Sequence, residues 1–142
     1  MDKLFLDANI LFTATYSHTG ASRAIFELAE KKKIIIFSSK YAIREAHVNI
    51  VNKIGETHLI LFYRLISRLN DVDKRQPVEE EMQKYRKIII AKDIPIILSA
   101  STLEADYLIT LDKKDFKNDR IRQAKFSFTI LGPGEYLRQK LR

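Results

Sequence analysis

The chain has 142 residues, 46% of them hydrophobic and 30% charged, with no cysteine and a formal charge of +7. That length suits a core of two or three packed layers, so residues 1–142 are expected to form a single domain. The composition excludes a disordered chain, no apolar run approaches the roughly 18 residues of a membrane helix, and the absence of thiols excludes disulfides, thiolate catalysis and cysteine-built zinc sites. The first residues hold Asp2, Lys3 and Asp7 in place of a basic cluster and lead to no small-residue cleavage site. They read as structure and not as a signal peptide, and cytoplasm is the expected location.

Lys3-Leu4-Phe5-Leu6 is an apolar run that stops at Asp7-Ala8-Asn9, as a buried strand does at its carboxyl edge. From Gly20 to Glu30, Ala21, Ala24, Ile25, Leu28 and Ala29 recur at helical spacing, and Lys31-Lys32-Lys33 suits the helix C-terminus. The β-branched run Ile34-Ile35-Ile36-Phe37 predicts a second strand, which completes a βαβ unit. Ser38 or Ser39 then caps a helix running to about residue 53. Thr57 to Leu69 predicts another, with Leu59, Ile60, Phe62, Tyr63, Ile66 and Leu69 on one broad face, read as core and as a candidate surface for a homodimer.

Asn70 to Gln76 reads as a polar connection, and Pro77 with Glu79-Glu80-Glu81 starts a helix over about 78–87. Ile88-Ile89-Ile90 fits a helix end or a strand equally. Asp93 precedes Ile94-Pro95, a first helical turn, and is expected at or beside an N-cap. Strands are expected at Asp106 to Thr110 and at Phe126 to Leu131, the latter ended by Gly132-Pro133-Gly134 before a basic terminal helix. Strands alternating with helices imply an α/β fold, a three-layer α/β/α sandwich around a mainly parallel sheet of four to five strands.

Residues 113–142 carry nine Lys or Arg against Asp115, Asp119 and Glu135, so most of the excess charge lies there. Such a stripe suits a phosphate-backbone partner, with Lys113, Lys114, Lys117, Arg120 and Arg122 as candidate nucleic-acid contacts.

Open parallel sheets bind ligands outside the carboxyl ends of their strands, and two strands end there in acids, Asp7 and Asp112. Asp106 lies at the opposite rim, roughly 20 Å away at about 3.3 Å per strand residue, and is set aside. Glu45, early in the helix after strand two, and Asp93, at a helix start, project over the same edge. Glu27, Glu30 and Glu56 are the other glutamates in range. Four clustered carboxylates repel one another unless a cation neutralises them, and all-oxygen ligation points to Mg²⁺ or Mn²⁺. His18, His47 and His58 share no metal-ligand spacing.

Four segments together resemble the PIN-domain nuclease family: Phe5-Leu6-Asp7-Ala8-Asn9-Ile10-Leu11, Ala42-Ile43-Arg44-Glu45, Asp93 to Ala100, and Ala105 to Phe116 with its Thr110-Leu111-Asp112. Ile130 to Leu137 is similar to that family's closing strand, proline turn and helix. The resemblance implies that Asp7, Glu45, Asp93 and Asp112 hold one or two metal ions, that Asn9 and Thr110 orient Asp7 and Asp112, and that Asp115 is an outer carboxylate. It also implies RNA hydrolysis by metal-activated water, leaving a 5′-phosphate and a 3′-hydroxyl, and a role as the toxin of a toxin–antitoxin pair. Two other classes are weighed against it. A non-catalytic nucleic-acid-binding module explains the basic tail but not the four acids. A phosphatase needs a second aspartate where Asn9 stands.

Overall fold

The structure is a computed structural model that describes residues 1–112, 116, 121 and 124–141. Five strands, β1 (Lys3–Leu6), β2 (Ile35–Ser39), β3 (Asp71–Asp73), β4 (Tyr107–Ile109) and β5 (Thr129–Leu131), form an all-parallel sheet in the order β3-β2-β1-β4-β5. β1 lies at its centre, and Leu4, Phe5 and Leu6 are wholly buried. This is why it reads as a continuous apolar run: both faces are covered.

Among the described residues the helices with defined bounds are α1 (Ala8–Tyr16), α2 (Ala21–Glu30), α3 (Lys40–Lys53), α4 (Leu59–Ile66), α5 (Glu79–Gln83), α6 (Ile94–Thr102) and α7 (Pro133–Lys140). Right-handed crossovers from β1 to β2 to β3 put α1 to α4 on one face, and the return to β4 puts α6 on the other. α7 packs on α2, back on the first face. The expected α/β/α layering with a parallel sheet is therefore what the chain forms. Among the described residues, no helix is long and apolar enough to cross a membrane.

Two elements differ outright from expectation. α1 begins directly after Asp7, where only a strand end was expected. Ala8, Ile10, Leu11, Ala14 and Thr15 are all buried, because α1 is packed among α2, α3 and α4. A helix enclosed on several sides loses the one-sided periodicity by which helices are recognised. β3 lies inside the polar stretch that reads as a connection. It is a three-residue edge strand paired with β2 through Phe37↔Asp71 to Ser39↔Asp73, and edge strands of this kind are short and charged.

Other boundaries contract. The helix expected over about 78–87 ends at Gln83, and Ile88 to Ile90 lie in turns, neither helix nor strand, with Ile89 buried. β5 keeps only the last half of its expected run. The expected apolar face of α4 is divided: Phe62 and Leu65 are buried, whereas Ile60 is 73% and Tyr63 46% exposed. Gly55 has φ +100° after α3, a left-handed conformation glycine adopts without strain, and its N–H donates to the Ile50 carbonyl at 2.8 Å.

Candidate active site

Crossovers leave β1 in one direction toward β2 and return on the other side to β4, so the strand order reverses between β1 and β4. A crevice opens beyond the carboxyl ends of strands at such a point. Asp7 follows β1 directly and Asp112 comes three residues after β4, which places both at this crevice. The backbone zips the two strands together there, with the Asp7 N–H donating to the Ile109 carbonyl at 3.0 Å.

Asp7 is 5% exposed and occupies the N-cap of α1. Its Oδ1 accepts from the Ala8 N–H at 2.7 Å, and its Oδ2 accepts from the Thr110 hydroxyl at 2.7 Å and from Asn9 Nδ2 at 3.4 Å. Thr110, itself buried, also accepts from the Asp112 N–H at 3.0 Å and from Asn9 Nδ2 at 3.3 Å. Asn9 Oδ1 accepts from the Leu111 N–H at 3.0 Å. The hydroxyl of Thr110 is thus used fully, one donor and two acceptors, and Asn9 bridges the two strand ends. Both residues expected to orient the acids sit between Asp7 and Asp112.

Burial pushes the Asp7 carboxyl up to about 6 against the lowering effect of its Thr110 and Ala8 bonds, and the charges of Glu45 and Asp112 push it the same way. Tyr41, on α3 one turn before Glu45, has its phenol raised by burial and by the charges of Glu45, Asp93 and Asp7. Glu45 thus acts on both groups, Asp112 on Asp7, and Asp93 and Asp7 on Tyr41. Asp93 is 7% exposed at the N-cap of α6, but its side chain makes no cap hydrogen bond, so the capping role that its position suggests is not the one it takes. Glu45 is exposed on α3.

Charge interactions link Asp7 with Glu45 and Asp112, and Tyr41 with Glu45, Asp93 and Asp7, without forming a finished cage. Among the described residues, no three His, Cys, Asp or Glu side chains stand close enough to define a coordination sphere. Glu45 is exposed and has three side-chain torsions. The donor chemistry fits a hard divalent cation: carboxylate oxygens only, with Asp7 and Asp93 buried and Asp7 repelled by its neighbours, a cost that a bound cation would offset. Asp115, Lys113, Lys114, Lys117, Arg120 and Arg122 lie outside the described residues. Asp106 accepts from the Lys3 N–H at 2.8 Å, at the amino edge, where spacing along the strand puts it.

Sequence reasoning missed Tyr41, whose hydroxyl donates to the Lys92 carbonyl at 2.8 Å and ties α3 to the turn before Asp93. Its only sequence signal is the one-turn spacing to Glu45. Asp73 was missed as well. It lies at the carboxyl edge with its Oδ2 accepting from Ser99 Oγ at 2.8 Å and its Oδ1 from Arg75 Nε at 3.0 Å, so it joins β3 to α6.

No family model matches the chain, and no curated protein matches it in sequence. Among solved structures it is similar to a chain of VapBC2 from Rickettsia felis bound to a DNA fragment from their promoter, with a TM-score of 0.69 and 22% identity over 92% of this chain and 98% of that one. At that identity the likeness speaks for the fold, and the fold of this chain is the PIN-like α/β sandwich that its four motifs resemble.

Proposed function

We propose that the chain is a Mg²⁺- or Mn²⁺-dependent endoribonuclease working through Asp7, Glu45, Asp93 and Asp112. The observation that carries this reading is the carboxylate Asp7, buried at the switch-point crevice and raised to about 6 while facing Glu45 and Asp112. Structural acids are normally compensated, and this one meets more negative charge.

A bound Mg²⁺ or Mn²⁺ supplies a Lewis acid that eases ionisation of water and neutralises charge on a phosphodiester. The four acids would hold it, with Asp115 as an outer carboxylate. Thr110 and Asn9 fix the Oδ2 of Asp7 in direction, and Thr110 holds the backbone of Asp112 against it. The formal charge of +7 supports a nucleic-acid substrate, with Lys113, Lys114, Lys117, Arg120 and Arg122 as contacts to its backbone. The likeness to a VapBC complex supports an antitoxin partner that covers this edge. The lack of cysteine is compatible with the cytoplasm.

The test is incubation with a mixed RNA pool, with Mn²⁺ and with chelator, followed by mapping of the new ends. Mn²⁺-dependent cuts bearing 5′-phosphate and 3′-hydroxyl are expected. A 2′,3′-cyclic phosphate contradicts attack by water, and binding without cleavage favours the non-catalytic module.

A further inference from the structure

Two adjoining concavities on the β2–β3 side of the sheet share Lys40 and Arg44 as walls. One continues to Tyr41, Lys74 and Arg75, the other to His47 and Tyr63. Lys40, Arg44 and His47 are spaced i, i+4 and i+7 on α3, so they line one face of the helix. Lys74 and Arg75 come up beside them from the turn after β3.

The cations of this ledge are available for a ligand. Lys40, Arg44 and Lys74 are exposed, and among the described residues their side chains make no ion pair or hydrogen bond. Arg75 is anchored through Nε and one terminal nitrogen to buried Asp73, which leaves others of its five donors free to point outward. Besides Asp73, Glu81 is an acid whose charge reaches it.

Aromatic rings interleave with this charge. Tyr63 is 46% and Tyr41 38% exposed. The Tyr63 ring is braced by a 2.6 Å contact between its hydroxyl and His47 Nδ1 and by Phe62, packed at 73° to it with 4.8 Å between centroids. A fixed, half-open ring beside a row of cations is the chemistry of a single-strand platform: backbone phosphates meet the charges and an unstacked base meets the ring. A duplex has no free base face to offer. Tyr41 leads from the ledge to the acids, because it lines the ledge and its phenol senses Glu45, Asp93 and Asp7.

We infer that the α3 face with the turn after β3 is a track for single-stranded RNA, with successive phosphates on Lys40, Arg44, Lys74 and Arg75 and a base stacked on Tyr63. The choice of RNA rests on the nuclease reading; the track itself does not. Its residues are other than those of the basic stretch after Asp112 that the sequence singles out.

The experiment is fluorescence anisotropy of a labelled RNA of about 12 nucleotides, in chelator, over a salt series. The triple variant Lys40→Ala, Arg44→Ala, Lys74→Ala is expected to bind at least tenfold more weakly and to flatten the slope of log affinity against log salt by about 2, at about 0.7 per phosphate contact. Tyr63→Ala is expected to weaken binding about tenfold with the slope unchanged, and to leave binding of the duplex form unaltered. Should the triple variant lose its melting transition, Lys40→Gln and Lys74→Gln singly are each expected to take about 0.7 from the slope. Wild-type affinity and slope in the charge variants overturn the track, as does equal sensitivity of duplex and single strand to Tyr63→Ala. RNA held here by a protein that fails to cut it under Mn²⁺ keeps the track and removes the nuclease reading; cutting by a triple variant that binds as wild type does the reverse.

Discussion

At the amino edge of the sheet Asp2 accepts from Lys140 Nζ and from the Tyr136 hydroxyl, both at 2.8 Å, whereas at the carboxyl edge Asp7 faces Glu45 and Asp112. Burial opposes ionisation of both. For Asp2 the Lys140 and Tyr136 contacts outweigh it and hold the carboxyl below its ordinary value. For Asp7 the nearby carboxylates add to it, and the carboxyl rises to about 6. Asp73, at the same edge as Asp7, behaves like Asp2: burial is outweighed by Arg75 and Ser99. An aspartate with its own cation is finished as structure; one left among acids is uncompensated when it ionises, and the proposed metal role rests on that difference.

Four outcomes can break or sharpen this contrast. Asp7→Asn and Asp112→Asn should each lower Mn²⁺-dependent RNA cleavage on the order of a thousandfold, equivalent to several kcal/mol of transition-state stabilisation. Full rates in both variants, measured on folded protein, would remove the carboxyl edge as the active site. Thr110→Val should lower the rate about 10- to 100-fold by releasing Asp7 and the Asp112 backbone, and should cost about 1–2 kcal/mol of stability in denaturant titration. Thr110→Ser retains the hydroxyl and should recover most of the rate.

The third outcome is a gain. The Asp7 carboxyl, raised from 3.8 to about 6, contributes stability that is fully present below its unfolded value and lost as pH rises through its folded one. At pH 7 in chelator the ionised group weakens the fold. Asp7→Asn should therefore raise stability by about 1–2 kcal/mol at that pH, less than the full linkage because the amide matches only part of the hydrogen bonding, and should flatten the pH profile between about 4 and 7. A loss of stability at pH 7 contradicts the electrostatic account. The smallest effect has the opposite sign. Asp2, with its lowered value, stabilises above the ordinary carboxylate range and ceases to as pH falls, so Asp2→Asn should cost at most about 1 kcal/mol near neutrality. The Lys140 side chain is 45% exposed, and added salt should shrink the difference further.

Legibility in the sequence followed burial geometry. β1, with both faces covered, and α2, with one face covered, carry the periodicities that their surroundings impose. α1 was hidden because it is enclosed by other helices, and β3 because an edge strand is selected for polarity and not for apolar content. In the candidate site, Asp7 and Asp112 were legible from their places after strands, while Tyr41 and the cations of the ledge were not. Lys40 and Arg44 stand one turn apart on α3, but Lys74 and Arg75 join them only across the sheet.

By itself, then, the sequence determined the alternation of strands and helices and the acids that end two of the strands, because both are written in neighbouring residues. The tertiary structure alone decided which aspartates are compensated. Lys140 reaches Asp2 from the far end of the chain, whereas Asp7 meets Glu45 and Asp112. Charge interacts through space, and the packing of the sheet sets which charges become neighbours.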